Sequence, residues 1–429
     1  MADPVRVGLL GCGNVGAAIV RLVDEHADVL TTRAGVDIEI GLVAVRDVAK
    51  QRDLKLAPEA FTADAGAVVR DPAIDVVVEV MGGVDPARAL ITEALRAGKP
   101  VITANKELIA RHGPELFTVA AESGVDLLFE ASVAGGIPLM RPLRESLAGD
   151  RIRRVMGIVN GTTNFILTRM AEEGSSFDDA LAEAQRLGFA ESDATADVDG
   201  FDAAAKAAII ATIAFGARVD ADDVYTEGIR GITADDIESA ATLGYVVKLL
   251  AVAEESEGGI SVRVHPAMVP VHHPLASVRG SFNAVFIEGE AVGELMLSGR
   301  GAGGGPTASA VLGDLVDAVK NLVGGGKGAT IGELVERPIR PIDEAESPFY
   351  VLMEVADEPG VLAAIAGEFG RHDVSIKSME QRGLRDDARL VFITHRAREA
   401  GLRSTLDALR SVVTVRRVGS VLRVMGEED

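Results

Sequence analysis

The run VRVGLL, Val5–Leu10, ends in Gly11-Cys12-Gly13-Asn14-Val15-Gly16, and AAIVRLVDEHADVL follows over residues 17–30. A G-x-G-x-x-G alone is a weak signal. Between a β-branched apolar run and an amphipathic helix it becomes a dinucleotide fingerprint: the glycines allow close approach of a pyrophosphate, and the helix N-terminus supplies amides and a positive dipole. The competing reading is a tight strand–helix turn with no ligand. The fingerprint predicts an α/β chain with a Rossmann-type, doubly wound parallel sheet, and it assigns all six residues to a cofactor site.

The next segments fit that sheet. IEIGLVAV, residues 38–45, runs into Arg46-Asp47. Arginine at a strand end suits a 2′-phosphate, so NADP(H) is favoured over NAD(H), whereas Asp47 keeps recognition of a ribose 2′-hydroxyl open. Lys55 is a second candidate for the phosphate. DVVVEV, residues 75–80, is continuously apolar up to its last carboxylate, as buried parallel strands are, and leads to Met81-Gly82-Gly83. A helix over 86–97 and the run Pro100-Val101-Ile102-Thr103-Ala104-Asn105-Lys106 complete the strand–helix–strand order. Gly82, Thr103 and Lys106 fall at strand carboxyl ends, where doubly wound sheets bind ligands. A lysine opening a helix opposes the dipole, a mild hint toward function rather than structure.

Sixty-five acidic residues against 43 basic ones give a formal charge of −22. Such a chain repels phosphate backbones and anionic lipid, so nucleic-acid and membrane-surface roles are disfavoured. No stretch reads as a membrane span, MADPVRVGLL lacks a signal-peptide layout, and the single Cys12 excludes an intrachain disulfide framework; the expected compartment is the cytoplasm. At 429 residues, two or three domains are expected.

Residues 183–206, EAQRLGFAESDATADVDGFDAAAK, concentrate the chemistry. Glu191, Asp193, Asp197, Asp199 and Asp202 precede Lys206, and the Ala- and Ile-rich run around Lys206 predicts a helix that sets Asp202 and Lys206 one turn apart. An exposed ion pair is the bland reading, worth about 0.3–0.5 kcal/mol. A calcium loop is ruled out, because its bidentate-Glu position falls on Lys206. The pattern Ala184, Gly188, Asp193, Asp197, Gly200, Asp202, Lys206 resembles the signature of the homoserine dehydrogenase family, with Ala194 where the family usually carries proline.

That resemblance spans essentially the whole chain. It implies interconversion of L-aspartate 4-semialdehyde and L-homoserine, on the route to threonine, methionine and isoleucine. It places the lysine of Asn105-Lys106 at the active site, gives Gly161 and Thr162 substrate contacts, and sets a monovalent cation, usually sodium, on the carbonyls of Glu130, Val133, Gly135 and Ile137. It further implies a homo-oligomer, a dimer or a tetramer. Glu191 with Asp197 is expected to hold the substrate ammonium group, a structural role for both being the alternative. Asp202 favours the protonated Lys206, which suits a proton donor to an alkoxide.

Elsewhere, Asn160-Gly161-Thr162-Thr163 lies between a strand and a helix, with Thr163 expected to cap the helix. Prolines at 266, 270 and 274 forbid a helix through His265, His272 and His273, so the three share no helical face, which argues against zinc. The glycine-rich residues 299–305 precede a helix, bring Gly303 toward cofactor or substrate, and leave Thr307 as the expected cap. From Phe349 a βαββαβ order with Asp357-Glu358-Pro359-Gly360 resembles an ACT domain, a fold that pairs chains or binds amino-acid effectors such as threonine. The expected division is 1–130 for the NADP-binding domain, completed by about 301–325, then 131–300 for catalysis and dimerisation, 326–347 as linker and 348–429 as ACT domain.

Cys12 lies inside the phosphate loop, so a covalent thiol route for aldehyde oxidation is excluded. A non-catalytic Rossmann–ACT sensor of cofactor and amino-acid levels is the alternative function. The Asp202–Lys206 spacing counts against it.

Overall fold

The computed structural model describes residues 3–328, 331–383 and 388–425. The chain divides into two compact units, one of Met1–Val155, Ala205–Asp223 and Phe282–Arg337, the other of Met156–Ala204, Val224–Ser281 and Pro338–Asp429.

In the first unit, β1 (Val5–Leu10), β2 (Ile38–Ala44), β3 (Phe61–Thr62), β4 (Val76–Glu79), β5 (Val101–Thr103) and β6 (Leu127–Leu128) form one sheet in the order β3-β2-β1-β4-β5-β6. Every pairing is parallel. This is the doubly wound order, with its switch point between β1 and β4. β4, β5 and β6 are buried along their whole length because both faces are covered, as parallel sheets require, whereas β1 and β2 each expose their second residue, Arg6 and Glu39. The helix Gly304–Val323 returns from far along the chain to this core, burying Ala308, Val311 and Leu315 with Leu9, Ile19 and Val78. The expected helix over 17–30 is two helices, Asn14–Glu25 and Ala27–Ala34, meeting at His26. Strand β6 stops after two residues because the amide of Glu130 is taken by Asp314 Oδ2 at 2.8 Å.

The second unit is built on an antiparallel hairpin, Tyr245–Ser256 with Gly259–Pro270, every residue of the second strand buried. Pro266 and Pro270 exclude a helix, as expected, yet both sit inside this strand. His265 is fully buried there with its neutral form favoured by burial, His272 is exposed, and His273 accepts from the Leu275 amide; they form no joint site.

Phe349–Val355, Val361–Arg371, Ile376–Arg382, Arg389–Thr394, Glu399–Leu409 and Val415–Val424 realise the βαββαβ order, around a core including Phe349, Met353, Ile365, Phe369 and Phe392. Its last strand lies parallel to Gly259–Pro270, so one sheet continues from the hairpin into the ACT domain. The presumed linker is tied down at its end: Ile260 N donates to Pro338 O at 2.9 Å and Arg340 N to Ile260 O at 2.7 Å. Ala329 and Thr330 of that linker, and residues 384–387 and 426–429 of the ACT segment, lie outside the described residues. Among the described residues no helix is long and apolar enough to cross a membrane.

One buried cation in the second unit makes a stability prediction. Lys248 is 2% exposed, and its Nζ donates to Asn164 Oδ1 at 2.9 Å and Val278 O at 2.5 Å. Burial lowers its pKa from 10.5 to about 8, partly offset by Glu172. Below pH 8 the amine is charged in both folded and unfolded chains, and the folded form bears the full cost of the buried charge. Between pH 8 and 10.5 only the unfolded chain keeps the proton, so this group's contribution rises with pH, by at most about 1.4 kcal/mol per unit. Denaturant titrations of the parent and Lys248→Met from pH 7.5 to 10 are expected to show the difference moving about 2–3 kcal/mol in the parent's favour. A difference independent of pH would mean that Lys248 does not titrate there.

Candidate active site

The glycines of the fingerprint have distinct jobs. Gly11 has φ +102, and a Cβ on it would lie 2.9 Å from Val80 O. A Cβ on Gly16 would lie 2.2 Å from Gly11 O, so loop and helix can meet only without one. Gly13 has open space beside it, and as N-cap it leaves the helix Asn14–Glu25 without a side-chain cap. Bare amides beside open space fit a pyrophosphate. Cys12 is half-buried, and burial pushes its thiol up, away from the thiolate.

Two polar residues not singled out in the sequence hold the strand ends. Glu79, fully buried at the end of β4, accepts through Oε1 from the amides of Met81 (2.7 Å) and Gly82 (3.1 Å), and through Oε2 from the Thr103 hydroxyl (2.6 Å). Asn105 caps the helix Lys106–Ser123 and donates to Gly83 O at 2.6 Å. Gly82 is thereby fixed with φ +75, and Lys106 opens the helix. The Thr103 side chain is fully buried and donates to Glu79, which leaves its backbone for a ligand at the strand end. The sequence signal for Glu79 was a carboxylate near the end of an apolar strand.

Arg46 is exposed just past β2. Lys55 does not join it but pairs with Asp24 at 2.6 Å, an exposed bridge. Arg52, also passed over, donates to Asp47 O and Lys50 O, lies over the Phe61 ring and reaches Cys12; its buried Nε has no hydrogen-bond partner.

The loop bearing Glu130, Val133, Gly135 and Ile137 is strongly bent. Ala134 (φ 58) and Gly135 (φ 59) are both left-handed, and a Cβ on Gly135 would lie 2.2 Å from Gly301 O. The Glu130 carboxylate is spent on the amides of Leu139, Met140 and Arg141. Asp314, paired with Arg141 at 2.9 Å, is pushed up to about 7 by complete burial and by the charge of Glu130. What Glu130 has left for a cation is its backbone carbonyl, and carbonyl oxygens suit a hard monovalent ion. Gly303 (φ +118) is the N-cap of the following helix, so Thr307 is not.

In the second unit, Asn160 rather than Thr163 caps the helix Gly161–Glu173: its Oδ1 accepts from Thr163 N at 2.8 Å. Its Nδ2 donates to Asp197 Oδ1 at 2.7 Å and Asp202 Oδ2 at 2.9 Å. One carboxamide thus joins two carboxylates the sequence had put in different roles. Gly161 starts the helix, and the Thr162 hydroxyl donates to Phe189 O at 2.7 Å. Glu191 is exposed on a loop whose carbonyls at Glu191 and Ser192 accept from Gln185. Asp199 is turned away onto Arg230, and Asp193 accepts from Thr195 N. Lys206 follows Asp202 by one turn of the helix Phe201–Phe215.

A doubly wound sheet with an open phosphate loop is the architecture of a dinucleotide-binding protein, and similarity to known proteins makes this one an NAD(P)-dependent oxidoreductase acting on a CH–OH group. Residues 11–130 match the homoserine dehydrogenase NAD binding domain, 138–316 homoserine dehydrogenase itself, and 349–414 the ACT domain. The chain belongs to the homoserine dehydrogenase family. It is 50% identical to homoserine dehydrogenase of Corynebacterium glutamicum over 98% of this chain and 95% of that one. Its fold matches the crystal structure of a homoserine dehydrogenase from Thiobacillus denitrificans with TM-score 0.93 and 39% identity, covering 99% of this chain and 98% of the other. A hyperthermophilic archaeal homoserine dehydrogenase in complex with NADPH matches 74% of this chain and 98% of its own, with TM-score 0.63 and 29% identity.

Proposed function

We propose that the protein reduces L-aspartate 4-semialdehyde to L-homoserine with NADPH, serving the synthesis of threonine, methionine and isoleucine, with Lys206 as the proton donor. The observation that carries this reading is the Asn160 carboxamide bound to Asp197 and Asp202, with Lys206 one turn beyond. When bound, the dinucleotide exchanges a hydride with the substrate carbon. The ammonium of Lys206 gives its proton to the oxygen as that carbon is reduced, with the carboxylate of Asp202 one helical turn before it. Glu191 and Asp197 hold the substrate ammonium, Gly161 and Thr162 border its carboxylate, and Lys106 orients the carbonyl. Gly11, Cys12, Gly13, Asn14, Val15 and Gly16 line the pyrophosphate, with Gly82 and Gly303 beside the cofactor.

Arg46, exposed just past β2, supports NADP(H) over NAD(H). The archaeal relative in complex with NADPH agrees with this choice. Glu130, Val133, Gly135 and Ile137 would hold a sodium ion through their carbonyls, steadying the bend. We further propose 1–130 with 301–325 as the cofactor domain, 131–300 as the catalytic and dimerisation domain, 326–347 as a linker and 348–429 as an effector-binding or oligomerising ACT domain, in a cytoplasmic homo-oligomer with threonine as the candidate effector.

Mixing the protein with the semialdehyde and NADPH tests the activity: the cofactor is expected to be consumed, with a lower KM than for NADH. A sensor would bind without turnover.

A further inference from the structure

We infer that Arg423, in the last strand of the ACT domain, is a positioning residue for the substrate carboxylates and acts through Glu227; this rests on the proposal that Asp197 and Asp202 serve the substrate. Arg423 is 6% exposed and stands opposite Ala267 where Val415–Val424 runs parallel to Gly259–Pro270. Its Nε and Nη2 grip both oxygens of Glu399, at 3.1 and 2.6 Å, and Nη1 reaches Glu227 Oε2 at 2.8 Å. The guanidinium also lies 5.2 Å from the centroid of the Tyr225 ring. Glu399, on the ACT helix, would satisfy the buried cation alone. The Glu227 side chain is 37% exposed, so burial does not demand its partnership; the third contact fixes where residues 225–230 lie.

Those residues back directly on the acidic segment. Glu227 N donates to Val264 O and Ile229 N to Val198 O, both at 2.8 Å. A Cβ on Gly228 would lie 2.2 Å from Val198 O and 2.5 Å from the Asp199 Cα, so backbone meets backbone with no side chain to absorb movement. On Gly200, whose φ is +88, a Cβ would lie 3.0 Å from Thr226 Cγ2. Arg230 closes the contact onto Asp199. Val198, Asp199 and Gly200 sit between Asp197 and Asp202, the two carboxylates that Asn160 joins. Close-packed backbone transmits displacement. A shift of Glu227 therefore reaches the substrate carboxylates, and the ACT strand sets the rest position.

Steady-state kinetics on the full-length protein, with L-homoserine and NADP+, separate this from a merely structural pair. Glu227→Gln keeps shape but weakens a charge-assisted bond, and is expected to raise KM for homoserine about tenfold with KM for NADP+ unchanged. Glu399→Gln weakens the other bond of the same guanidinium; it is expected to lower the thermal midpoint and leave both KM values in place. Asp197→Asn serves as reference and is expected to raise KM for homoserine. A parental KM in Glu227→Gln beside a raised one in Asp197→Asn overturns the relay and spares the site. Equal rises in Glu227→Gln and Glu399→Gln mean general loosening and also overturn it. An unmoved Asp197→Asn removes the site assignment and the relay together.

Discussion

Replacing Lys206 with alanine is expected to lower kcat about 10²–10⁴-fold in either direction, the usual range for removing a positioned acid or base. Affinity for NADP+ should not change. The substitution suits this position because alanine is the best helix former and Lys206 lies inside an alanine-rich helix, so lost activity would not reflect a lost helix. Arginine makes the sharper comparison. Lys206→Arg retains the positive charge beside Asp202, yet a guanidinium does not give up its proton in proteins. If Lys206 only neutralised charge, arginine would restore turnover. If it carries the proton, both variants should fail in oxidation, and full turnover in the alanine variant would end the proposal.

The second large effect belongs to the phosphate loop. A Cβ on Gly16 would stand 2.2 Å from the Gly11 carbonyl, a backbone atom with nowhere to go, so Gly16→Ala must pry loop from helix. The expected result is a loss of about 1–3 kcal/mol in stability, as for other overpacked sites, together with weak cofactor binding. Gly13→Ala isolates the ligand from the fold. Its Cβ meets nothing within 4 Å and its φ of −83 suits any residue, so the protein should fold with parental stability. That methyl group occupies the space reserved for a pyrophosphate, so the affinity for NADP+ should still drop. Equal stability losses in the two variants, with cofactor affinity intact, would mean that the loop is only a tight turn.

The contrast between those glycines shows what the sequence made legible. Glycine spacing, apolar strands and the Asp202–Lys206 interval are local patterns, and each one appears in the structure as the turn, strand or helix it predicts. Asn160 was not legible in the same way. Nothing near it announces that its carboxamide meets carboxylates 37 and 42 residues away, and that pairing exists only after the chain folds back. Glu79 escaped for a related reason, since its partner Thr103 lies 24 residues on. The prolines of Gly259–Pro270 excluded a helix, but they hid a strand that is buried along its whole length and therefore shows no alternation. Lys55 and Thr307 were assigned from proximity in sequence, and in the structure a nearer carboxylate and an earlier helix start replaced those roles.

A crystal structure with NADP+ and L-homoserine bound would follow the proton path atom by atom. The expected result is Lys206 Nζ about 3 Å from the substrate hydroxyl, hydrogen-bond distance, with Asn160 still joining Asp197 and Asp202. Lys206 directed into bulk solvent, with a water or another side chain on that hydroxyl, contradicts the assignment.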